Sequence, residues 1–115
     1  MHYILEFSPP MSGFEGDFNT FRLGGKWQRV LKPGDKMLLV DKRTSAVFAV
    51  AEVQGADAGK LRDMANTFAS FNHNQRELDC AGAPDRLISN MIKRYGPHKC
   101  SETSRVSVIH LRRIK

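Results

Sequence analysis

The sequence predicts an α+β domain in which a small, strongly curved or closed β-sheet, in effect a barrel, carries two main helices packed around it. Three observations predict it. Short β-prone runs bounded by proline, glycine and charged turns fill the first half, the apolar period then switches to steps of three and four, and another β-prone run closes the chain. With 115 residues there is volume for one modest core, so residues 1–115 are expected to form a single domain.

The run HYILEF reads as the first strand, stopped by Ser8-Pro9-Pro10 because proline lacks the N–H that a ladder needs. Residues 11–16 mix Ser, Gly and Glu with Met and Phe and read as a loop; DFNTFR then resumes extended structure. Lys32-Pro33-Gly34-Asp35 is a turn, since proline presets φ at its second position and glycine accepts the positive φ of a type II turn. KMLLVD and SAVFAVAEVQG follow as strands joined through Lys42-Arg43-Thr44, and their nearly continuous apolar character fits burial on both sides, as in a closed sheet.

Beyond Gly55, Leu61, Met64, Ala65, Phe68 and Phe71 or Asn72 recur at helical steps, and this first helix should end near Asn72-His73-Asn74. A second helix has Asp85 as its expected cap, Leu87, Ile88, Met91, Ile92 and Tyr95 as its apolar face, and Gly96-Pro97 as its stop. In the closing RVSVIHLRRIK, Val106 and Val108 hold one phase and Ile109 and Leu111 the other. The expectation is a bulge or barrel corner where the strand changes face.

Hydrophobic residues at 41% and charged residues at 26% are ordinary for a packed globular chain and argue against disorder. No apolar run approaches the roughly 18 residues of a membrane span, and the first residues lack a basic, hydrophobic leader, so a cytoplasmic location without membrane contact is expected. Cys80 and Cys100 are too few for a disulfide scaffold. His73, Cys80, His98 and Cys100 are zinc-type residues without a close Cys pair, so neither a metal nor another cofactor is expected. Eighteen Lys and Arg against twelve Asp and Glu give a net charge of +6, which draws polyanions to the surface.

The stretch NTFRLGGKW and the residues after it gather the candidate polyanion contacts. Arg22, Lys26 and Arg29 offer cations for phosphate, Trp27 between the last two offers a face for a base, and Gly24 and Gly25 permit close approach. The competing reading places Trp27 in the core with the cations as its solvated neighbours. Asn72-His73-Asn74 supplies donors and acceptors for a base edge or a water network, or else simply caps a helix.

TFRLGGKW, LKPGDKMLL, AVAEV, IKRYGP and the terminal VSVIHLRR together resemble the ASCH domain, a member of the PUA-like barrel group. The resemblance implies a β-barrel with helices around a cleft and a role in binding RNA or modified bases. It also implies a rival, because some small members are amidohydrolases that deacetylate N4-acetylcytidine with a Lys, a Thr and a Glu, and another is described as a ribonuclease. Carried over residue by residue, Thr20 matches the threonine but Asp17 stands where the lysine belongs. In the other register Lys26 matches while Arg29 replaces the threonine, and Glu77 matches the glutamate only after a shift.

The sequence therefore predicts a nucleic-acid-binding domain, for RNA or for single-stranded or modified nucleic acid, through a basic cleft using Thr20, Arg22, Lys26, Trp27, Arg29, Asn72 and His73. The alternatives are a small hydrolase or ribonuclease using Thr20, Lys26 and Glu77, and a protein-interaction module. Nothing in the residues fixes the oligomeric state.

Overall fold

The computed structural model describes residues 2–9, 11–76 and 78–115. Five strands form one sheet in the order β1-β3-β4-β5-β2: β1 His2–Phe7, β2 Asp17–Leu23, β3 Lys36–Asp41, β4 Ala46–Lys60 and β5 Arg105–Arg113. Strands β1 and β3 run parallel and the other neighbours antiparallel. The chain thus leaves β1 at one edge, crosses to β2 at the other, and returns beside β1. Among the described residues β1 and β2 do not pair, so the sheet is curved but open, and the expected barrel does not close.

The curvature comes from β4. Its first half pairs with β3 and its second half with β5, and the ladder shifts by a residue at Gln54, between Val53 and Gly55. One added residue bends and twists a strand locally, which lets one long strand turn the sheet's corner. The expected bulge therefore sits on β4, not on β5. The two apolar phases of β5 instead serve two cores, one on each face of the sheet. Ile109 and Leu111 join Leu5, Phe7, Met37 and Leu39 on the concave face, while Val106 and Val108 join Leu61, Ala65, Leu87 and Met91 under the helices.

Among the described residues three α-helices accompany the sheet: α1 Lys26–Val30, α2 Leu61–Phe68 and α3 Ala83–Tyr95. The short α1 follows β2 directly, ahead of the Lys32–Asp35 turn. Ser107 Oγ on β5 donates to Gly24 O at 2.8 Å and accepts from Gln28 N at 3.3 Å, so this buried hydroxyl pins the segment down. Helix α2 is prolonged by a 3-10 turn, Ala69–Phe71, which ends at Asn72 as the spacing predicts. Helix α3 starts before Asp85, with Gly82 at its cap position and Pro84 in its first turn, where a missing N–H costs nothing. Asp85 instead accepts from Arg62 Nη1 at 2.8 Å, joining α3 to α2. The Lys32–Asp35 turn forms as expected, with Asp35 N donating to Lys32 O at 3.1 Å and Gly34 at φ +94°.

Candidate nucleotide-binding cleft

Strand β2 is an edge strand, and its free side is partly covered by the segment after α2. His73 N donates to Asn19 O at 3.2 Å, and the Asn19 side chain donates to Phe68 O at 2.9 Å. This contact lays Asn72 and His73 beside Thr20 although more than fifty residues separate them in sequence. Strand β2 and this segment form the floor of a cleft of about 700 Å³ whose far wall is α3, with Arg86, Asn90, Arg94 and Tyr95 facing it. The volume lies in the range typical of small-ligand sites.

The floor is polar and nearly closed to solvent: Thr20 is 2% exposed and His73 7%. The His73 ring stacks on Phe14 at 4.6 Å and meets the edge of Phe7 at 5.0 Å. Gly13, at φ +78°, lets the 11–16 loop approach so closely that any Cβ there would strike His73 O. Burial in this aromatic slot, with the Arg22 and Arg94 charges adding to it, lowers the His73 pKa to about 3. His73 is therefore neutral at physiological pH, and its Nδ1 is buried without a partner, as is Asn74 Oδ1. Both can accept from a ligand N–H.

Arg22 lies on the same face of β2 as Thr20, two residues on. Its guanidinium rests over the Phe7 ring at 4.7 Å, and its Nε is buried without a hydrogen-bond partner. Burial, together with nearby Arg94 and against weaker opposing effects of Tyr95 and Glu6, lowers its pKa to about 10, which still leaves it charged. Among the described residues no carboxylate bonds to it. Most other arginines have partners: Arg43, Arg62, Arg112 and Arg113 pair with carboxylates at 2.6–2.8 Å. Arg86 is held by Gln75 Oε1 at 2.8 Å and by Asp79 O, so it builds the cleft wall and has little left to offer a ligand. Among the described residues Arg94, which lines the same wall, has no such hydrogen bond or ion pair.

Of the residues singled out in the sequence, the structure brings Thr20, Asn72 and His73 into one cleft, with Arg22 beside it over Phe7. Trp27 is half-buried against the concave core, edge-on to Tyr3 at 5.9 Å. It lines a separate depression with Arg22, Glu6 and Ile4. Lys26 and Arg29 are exposed on α1 and do not line the cleft. Glu77 lies outside the described residues, so of the hydrolase set only Thr20 is seen in the cleft.

The expected set omitted Arg94 and Tyr95. A signal was present: Arg94 has neither an acidic neighbour three or four positions away on α3 nor a place on its apolar face.

Two solved structures share this architecture closely. The hypothetical protein PH0355 aligns over 99% of this chain and 100% of its own, at a TM-score of 0.67 and 14% identity. The DUF984 protein EF3133 from Enterococcus faecalis aligns over 86% of this chain and 61% of its own, at 0.61 and 10%. What they share is the fold. An ASCH-domain structure from Lactobacillus crispatus, the group that the sequence resembles, is also among the matches, at a TM-score of 0.47 and 12% identity over 88% of this chain and 65% of that one. No family model and no curated protein matches the sequence. No helix among the described residues is long and apolar enough to cross a membrane.

Proposed function

We propose that this protein binds single-stranded or modified nucleic acid, RNA foremost, by taking one nucleotide into the cleft between β2 and α3. The observation that carries this reading is Arg22, a half-buried side chain whose Nε is fully buried without a partner and to which no carboxylate bonds among the described residues. A charge held out of water without a counterion is costly, and a phosphate offers the bidentate partner that its geometry fits. Arg94 supplies a second cation at the rim, Tyr95 an aromatic face, and His73 Nδ1 and Asn74 Oδ1 two acceptors suited to an amino group on a base edge. ASCH-type domains, which the sequence resembles, have been given an RNA-binding role, and this reading agrees with it.

The test is fluorescence anisotropy with a labelled single-stranded RNA across a salt series. Binding should weaken with salt, because phosphate contacts release counterions. Arg94→Ala should lower affinity about tenfold and reduce the slope of log K against log salt by about 0.7, one phosphate's share for a single strand. Absent binding at low salt, or an affinity indifferent to Arg94, would overturn the proposal.

A further inference from the structure

We propose that Arg29 and Arg105, packed over Gly25, form a second oxyanion site that takes a backbone phosphate of the polynucleotide whose nucleotide occupies the cleft. The proposal rests on the nucleotide-binding reading of the cleft and extends its footprint to the opposite side of Arg22.

Gly25 is buried, and its backbone, at φ −102° and ψ 2°, is open to many residue types. The space above it is filled by the ends of two long side chains. A Cβ at Gly25 would stand 2.8 Å from Arg105 Nε and 3.1 Å from Arg29 Nη1. Two guanidinium groups thus converge on the one spot where the backbone offers no side chain. Neither forms an ion pair among the described residues, whereas Arg43, Arg62, Arg112 and Arg113 find carboxylates.

The crowding is greater still, because Lys60 on β4 is the direct cross-strand partner of Arg105. Like charges set opposite each other destabilise a ladder, and an anion seated between them relieves that repulsion. The backbone beneath is held firmly: Gly24 N donates to Arg105 O at 2.8 Å, and Ser107 Oγ fixes both Gly24 and Gln28. A phosphate fits this arrangement, since arginine forks match its oxygens bidentately.

Register connects this site to the cleft. Arg22 pairs with Ser107, and Arg105 lies two residues from Ser107 on the same strand, so Arg22 and Arg105 share one face. In a regular antiparallel ladder such diagonal neighbours are about 7–8 Å apart. A strand that leaves the cleft round the free edge of β2 and passes Arg22 therefore meets Arg105 and Arg29 on the same face as Arg22.

The experiment compares ribonucleoside monophosphates with a single-stranded RNA of about eight nucleotides, in the wild-type protein and in the Arg29→Gln, Arg105→Gln double variant. Both arginines are exposed, and a thermal melt confirms that the variant is folded. The wild type should bind the oligonucleotide at least tenfold more tightly than any monophosphate. The double variant should lose that advantage and about 0.7 of the salt slope, leaving monophosphate binding unchanged. Gly25→Ala, which displaces both guanidinium groups, should reproduce the loss in part.

An oligonucleotide affinity equal in wild type and double variant, with monophosphate binding intact, would overturn the second site alone. If the wild type bound the oligonucleotide no better than the monophosphate, that too would overturn it. Binding of neither probe by the wild type would remove the cleft reading and this inference together.

Discussion

Arg22 on β2, beside the cleft, and Arg112 on β5 sit on neighbouring strands, yet they do opposite things with the same charge. Arg112 is exposed and holds Asp17 with Nε at 2.8 Å, which raises its own pKa and lowers that of the acid. Arg22 rests over an aromatic ring, and its pKa is lowered because its desolvation outweighs the opposing effects of Tyr95 and Glu6. The net charge of +6 counts both alike. What separates them is pairing: a cation already matched to a carboxylate has little left for a ligand, whereas an unmatched one in a cleft is destabilising until a ligand arrives.

The sharpest way to break this contrast is Arg22→Met, which keeps the bulk over Phe7 and removes the charge. Leaving a ligand phosphate unpaired in a desolvated site costs about 2–4 kcal/mol, so RNA affinity should fall by about 30- to 1000-fold. Stability should move the other way. Relief of an unsatisfied buried group is worth about 1–3 kcal/mol, and the lost cation–π contact returns about 1 kcal/mol of that. The expected net gain is about 1 kcal/mol, read by urea denaturation. A variant that bound RNA normally, or one that lost stability, would mean that Arg22 is a structural cation with an unseen partner.

A smaller effect tests the neutral state of His73. Its folded pKa of about 3 lies below the ordinary 6.5, so between those values the unfolded chain binds a proton that the folded chain refuses. Stability is therefore complete above about pH 6.5 and falls as pH drops, by up to about 1.4 kcal/mol per unit. Urea denaturation at pH 7, 6 and 5 should reveal the slope, and His73→Gln should flatten it. An equal slope in the variant would assign the acid sensitivity to other groups.

The cleft was only partly legible in the sequence, and the reason is topological. Thr20, Arg22, Asn72 and His73 each stood out by chemistry, but their meeting depends on His73 N bonding to Asn19 O across more than fifty residues. No local period encodes that contact. Trp27 drew notice as a lone aromatic between cations, while its burial against Tyr3 follows from α1 folding onto the concave face, which the Gly24-Gly25 pair alone does not reveal. Strands and helices fared better, because KMLLVD, the Pro33-Gly34 turn and the Leu87–Tyr95 stripe are set by neighbours. The barrel expectation failed for a related reason. Continuous apolar runs show that both sides are covered, yet here the helices cover one side, so closure of the sheet is not required.

The smallest effect completes the contrast. Arg112→Ala removes one charge from the same sheet, as Arg22→Met does, and leaves the net charge identical in the two variants. Its partner Asp17 is solvent-exposed, so water replaces the lost bond and the melting temperature should hardly change. RNA affinity should also be unchanged at moderate salt, since a paired, outward-facing cation releases no counterions to a strand seated in the cleft. If Arg112→Ala weakened binding as much as Arg94→Ala, the surplus charge would be acting as a diffuse field over the whole surface. An effect confined to Arg22 and Arg94 would instead place recognition in the cleft, with the paired arginines serving only the fold.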